Sequence, residues 1–171
     1  TAYHEAGHAI VGLMVKGHDP VYKVSIIPRG RALGVTMFVP EKDKLSLSKS
    51  AVHGRICSLY GGRIAEAIIL GENEITTGAS NDIEKATDLA RNYVTKWGLN
   101  EKLGPINYSN ENGEVFLGRS IAQSKDISDA TAEIIDKEIQ KLITDSYKAA
   151  EKILNENLEV LHTMSDALIK Y

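Results

Sequence analysis

Three residues near the start of the chain, His4, Glu5 and His8, carry side chains whose types and spacing define a specific chemistry. In an α-helix, positions i and i+4 lie one above the other on a single face. His4 and His8 can therefore direct two imidazole nitrogens at one point, as a zinc ion requires, while Glu5 can take a proton from a water beside that ion. This is the H-E-x-x-H arrangement of zinc peptidases. The surrounding run, Ala2 to Val15, is apolar and periodic and ends at Lys16-Gly17-His18-Asp19-Pro20, so the triplet is expected on a largely buried helix. Two buried imidazoles and an acid with no ligand to satisfy them would be costly.

Catalytic zinc takes three protein ligands and keeps a position for water. A third histidine six residues after His8 would complete another zincin pattern, but that position is Met14. Two carboxylates compete instead. Glu66 lies in the Gly61-Gly62-Arg63-Ile64-Ala65-Glu66 segment, where a salt bridge to Arg63 or Arg91 would equally explain it. Asp82 lies in the first turn of a later helix, where an acid also complements the helix dipole. Asp82 shares a face with Ala86 and Leu89 and so points inward, but spacing alone leaves the two acids nearly even.

The elements that must position these groups follow from periodicity. A β-hairpin is expected from Val21 to Pro28 and from Leu33 to Pro40, with Arg29 to Ala32 as its turn. The second run contains Gly34 and looks like a sheet edge near the site, able to pair with an extended peptide. Helices are expected over about Ser48–Leu70, Ser80–Trp97, Ser128–Asn155 and Leu158–Ile169. The third helix has the stripe Ile83, Ala86, Ala90, Tyr93 and Trp97. Gly61-Gly62 inside the second helix implies close packing against another backbone. Residues 99–125 read as an ordered loop with a short strand. The fold class is therefore α+β and mainly α-helical: a zincin-like helix, a small hairpin and a C-terminal helical segment.

At 171 residues the chain is long enough for one domain with its own core. A net charge of −3 gives no electrostatic reason to expect nucleic acid, and the single cysteine, Cys57, excludes an internal disulfide. No apolar run has the length of a membrane span. The helical pattern begins at the first residue without a cap, so the chain is expected to be cut from something longer. The two C-terminal helices carry more apolar positions than one packed face needs, which fits a subunit contact.

Taken together, Ala2 to Ala9, Ser25-Ile26-Ile27-Pro28-Arg29-Gly30, Ala32-Leu33-Gly34, Gly61 to Glu66, Thr76 to Asp82, and Trp97-Gly98 with Leu103-Gly104-Pro105 resemble the peptidase domain of the FtsH family, in the same order and over nearly the whole chain. The resemblance implies Asp82 as the third zinc ligand beside His4 and His8, Glu5 as the catalytic residue, and one Zn2+ per chain. It further implies unfolded protein or peptide substrates and a homo-hexameric ring. Membrane helices and an AAA+ ATPase module would precede residues 1–171, of which 1–98 form the zinc-binding half and 126–171 the helical segment. The peptidase would then lie on the cytoplasmic side of a bacterial inner membrane. ATP and Mg2+ would bind only the ATPase module, since no G-x-x-x-x-G-K-[ST] stretch occurs here. One departure is Ala67, where many members carry a second Glu. A stand-alone zinc peptidase or a non-catalytic ring-forming scaffold are the alternative readings; an intact Glu5 argues against the scaffold.

Overall fold

The computed structural model describes residues 1–109 and 127–171. Its elements are α1 (Ala2–Met14), β1 (Val21–Ser25), β2 (Val35–Phe38), α2 (Lys49–Leu70), α3 (Ser80–Thr95), α4 (Asp129–Glu156) and α5 (Leu158–Lys170), with short 3-10 turns at Glu72–Glu74 and Thr77–Ala79 before α3. The mainly helical α+β class expected from the sequence is the class observed. Helix starts are fixed by side-chain caps where the sequence supplies them: Ser48 accepts from the Ala51 N–H at 3.2 Å and Ser128 from the Thr131 N–H at 3.1 Å.

The centre of the fold is the crossing of α1 on α2. A Cβ at Gly7 would overlap the Gly61 carbonyl, and a Cβ at Gly61 would overlap the Gly7 carbonyl, so the two backbones meet directly. Ile10, Val11, Val52, Ile56, Cys57 and Ile64 close around this contact, and α4 and α5 cover it with Ala150, Leu154 and Leu161. Burial pushes the Cys57 thiol up to about 11, as befits a packing residue.

The hairpin is a two-stranded antiparallel sheet, with Val24 opposite Thr36, Ser25 opposite Val35, and a bulge between Val21 and Lys23. Only β1 pairs with β2 among the described residues, so the far edge of β2 has no strand partner. Behind the hairpin, Asp19 is buried between Lys44 Nζ at 2.9 Å and Arg55 Nη2 at 3.2 Å. The Lys44 hydrogen bond, first, holds its carboxyl below the usual range, and the pair ties the charged loop after β2 to α2.

Three expectations change. On α3 the buried line is Ala86, Ala90 and Val94; Ile83 is 36% and Trp97 39% exposed. The small residues turn inward because they let α3 approach α2, which carries Asp82, one turn before Ala86, round to the same side. On the C-terminal helices, Ile135, Ile139, Leu154 and Leu161 lie in the core, and Leu142, Ile143, Ile153 and Leu168 pack against it. Of the large apolar residues on α4 and α5, Ile134, Leu158, Val160 and Ile169 are exposed, so most of the surplus is consumed within the chain and a smaller part faces outward. Finally, no strand occurs over residues 99–109; the rest of that expectation, over 110–125, lies outside the described residues.

Candidate metal centre

Both histidines project from the α1 face that meets α2. His8 Nδ1 lies 2.7 Å from the Ser58 carbonyl oxygen, and His4 Nδ1 lies 2.8 Å from Glu66 Oε1. A carbonyl and a carboxylate only accept, so both Nδ1 atoms carry the hydrogen and, in the neutral rings, both Nε2 atoms present bare lone pairs. Those two Nε2 atoms are 3.0 Å apart. Asp82 Oδ2 stands 3.3 Å from His4 Nε2 and 3.2 Å from His8 Nε2. Three electron-rich atoms thus converge with no hydrogen available between the imidazoles, an arrangement that calls for a cation or an extra proton.

The donor set also fits zinc in size. Ligand bonds of about 2.0–2.1 Å at a tetrahedral angle put ligand atoms roughly 3.3 Å apart. The observed separations of 3.0, 3.3 and 3.2 Å come close to that figure. Among the described residues, His4, His8 and Asp82 are the group of potential ligands that meets in this way. Burial works against ionisation of Asp82, yet with no cation bound the extra proton on the His4 and His8 imidazoles lets them hydrogen-bond its carboxylate and hold it far below the usual range. Burial likewise lowers the His4 imidazole, but the Asp82 and Glu66 carboxylates outweigh it and raise the net value.

Glu66 sits beside this cluster and not within it. Its Oε1 faces the opposite nitrogen of the His4 ring, and its Oε2 accepts from the Thr76 N–H and the Thr76 hydroxyl, both at 3.1 Å. Among the described residues it makes no salt bridge to Arg63 or Arg91; its partners are His4 and Thr76. Burial tends to raise its carboxyl, but these donors keep it below the ordinary range. Thr76 Oγ1 also accepts from the Gly78 N–H at 3.2 Å, so one hydroxyl joins Glu66 on α2 to the turn that delivers Asp82. Gly62 has the matching role on α2: a Cβ there would come within 2.6 Å of the His4 ring.

Glu5 lies between the two histidines in sequence, and its side chain meets β2, where Thr36 Oγ1 is 2.7 Å from Glu5 Oε2. Next to Ser58 a cavity of about 460 Å³ opens, walled by Phe38, Leu59, Leu89, Arg55 and Lys85. Sequence reasoning missed Thr36, Ser58 and Thr76. The alternation of Gly34, just before β2, with Thr36 in it was a usable signal for the first; a backbone carbonyl such as that of Ser58 leaves none.

A helix offering H-E-x-x-H to an acid from a second helix defines a metallopeptidase-type centre. The family description Peptidase family M41 matches residues 1–171, and the chain belongs to that family. Similar curated proteins include the ATP-dependent zinc metalloprotease FtsH of Photobacterium profundum, 60% identical over the whole chain and 25% of the relative. Those of Haemophilus influenzae and Caulobacter vibrioides are 58% and 48% identical, again over the whole chain and 27% of each relative. The chain therefore spans about a quarter of the length of these relatives.

Proposed function

We propose that this chain is the peptidase domain of an ATP-dependent zinc metalloprotease, with one zinc held by His4, His8 and Asp82 and with Glu5 as general base. The observation that carries the reading is the convergence of His4 Nε2, His8 Nε2 and Asp82 Oδ2 at 3.0–3.3 Å, one residue along the helix from a buried carboxylate. When bound, zinc supplies Lewis acidity, polarising the scissile carbonyl and making the attacking water acidic near neutral pH. Glu5 accepts that water's proton and returns it to the leaving amine. Glu66 and the Ser58 carbonyl keep the two imidazoles in the tautomer that can ligate. The test is metal dependence. Purified protein should contain one zinc per chain, lose casein hydrolysis on chelation and regain it with zinc. Undiminished hydrolysis by the metal-free chain would overturn the reading.

The substrate is an unfolded or extended polypeptide. The free edge of β2 supports this, because backbone N–H and C=O groups can pair with any sequence, and the adjoining cavity has room for a side chain. A bound peptide should tolerate scrambling of its side chains far better than N-methylation of one backbone amide near the scissile bond. Equal loss of binding for both would count against strand addition.

In the longer protein, the reading extends to an ATPase module, a membrane anchor and a hexameric ring, with the peptidase on the cytoplasmic side of the inner membrane, degrading damaged membrane and cytoplasmic proteins. The family resemblance and the much greater length of the relatives support that extension. Within the described residues, no helix is long and apolar enough to cross a membrane. The exposed Ile134, Leu158, Val160 and Ile169 are the candidate apolar ring contacts on the C-terminal helices.

A further inference from the structure

We propose that Thr36 is a positioning residue for the Glu5 carboxylate, and that position 34 is glycine so that the carboxylate can lie where Thr36 holds it. The inference rests on Glu5 acting as the general base. Residues 34 and 36 fall on the same side of an extended segment, and both meet Glu5. A Cβ at Gly34 would come within 2.8 Å of Glu5 Oε1 and of its Cγ, so any larger residue there would displace the side chain. Thr36 Oγ1 lies 2.7 Å from Glu5 Oε2 and 3.1 Å from the Glu5 carbonyl oxygen.

A hydroxyl has one hydrogen to share between those two acceptors. An ionised carboxylate offers only lone pairs, so a 2.7 Å approach of two oxygens is attractive only if the hydrogen lies between them. Thr36 therefore donates to Oε2. That bond restrains a side chain with three rotatable bonds and fixes the plane of its carboxylate. Among the described residues no other side chain bonds Glu5, which leaves Oε1 with its lone pairs open to a proton. The geometry is prepared before substrate arrives, and this saves reorganisation during the reaction. It also makes β2 a shared part: the strand whose free edge would receive the peptide is the strand that orients the base.

The experiment compares Thr36→Val with Thr36→Ser. Valine keeps the branched shape and the strand preference but loses the donor; serine keeps the donor and loses the methyl. We expect Thr36→Val to lower kcat for casein about 10–100-fold, as loss of an orienting partner typically does, with KM and zinc content unchanged. Thr36→Ser should retain kcat to within a few-fold. On a Glu5→Gln background, Thr36→Val should change the residual rate little. A readout without turnover completes the test: in the metal-free chain, Glu5→Ala and Thr36→Val should together lower the unfolding midpoint by less than the sum of their separate effects. Normal kcat in Thr36→Val, an equal loss in Thr36→Ser, or additive midpoints would overturn the proposal. Full activity in Glu5→Gln would instead remove the base assignment on which it rests, so the two failures are distinguishable.

Discussion

Glu5→Gln should leave the chain folded and loaded with metal while lowering kcat for an unfolded substrate by about 10²–10⁴-fold, the span expected when a general base is removed. The amide matches the carboxylate in size, and its oxygen can still accept from the Thr36 hydroxyl, so packing between α1 and β2 is retained. Glu5 is not among the convergent donor atoms, so the metal set is untouched. What the amide cannot do is take up a proton and give it back. A rate measurement paired with metal analysis therefore separates loss of base from loss of metal. A variant that holds one zinc per chain and turns over casein at the normal rate would exclude Glu5 as the base.

Asp82→Asn and Glu66→Gln should differ sharply in metal affinity. Asp82 Oδ2 stands within 3.3 Å of both Nε2 atoms, so Asp82→Asn takes the only anion out of the proposed ligand set and leaves a weakly coordinating amide. Glu66 acts through the far side of the His4 ring. Losing such an orienting partner typically costs about 10–100-fold in affinity. Glu66→Gln should fall in that span, because the glutamine oxygen can still accept from Nδ1, and Asp82→Asn should fall well beyond it. Competition with a calibrated zinc chelator reads both. The reverse order, with Asp82→Asn the tighter binder, would place Glu66 among the ligands and demote Asp82 to a helix-terminus charge.

The helical elements were legible because each is amphipathic or capped over a stretch long enough to show its period. Ser48 and Ser128, for instance, mark helix starts that the structure places within a residue of the expected positions. The Gly61-Gly62 pair also carried its meaning in the sequence, since two glycines inside a helix imply a close neighbour. Gly61 meets the α1 backbone and Gly62 the His4 ring. The middle of the α3 stripe, Ala86 and Ala90, was legible and is buried, whereas its large ends, Ile83 and Trp97, were misjudged and Val94 was passed over. In a tight helix contact, Ala86 and Ala90 are the residues that fit, and Ile83 and Trp97 are left at the rim.

For the site, the same division holds. His4, Glu5 and His8 belong to a single helical turn and a half, so their juxtaposition follows from 3.6 residues per turn and needed nothing beyond the sequence. The choice between Glu66 and Asp82 could not be made from spacing, because both acids are helical, inward-facing and far from α1 in sequence. Which one meets the Nε2 atoms depends on where α2 and α3 run relative to α1. That is decided by the backbone contact of Gly7 with Gly61 and by the Thr76 hydroxyl joining Glu66 to the turn before α3. The pairing of Thr36 with Glu5 likewise arises only when the hairpin docks on α1. Local periodicity sets the face a side chain occupies; long-range packing alone sets what that face meets.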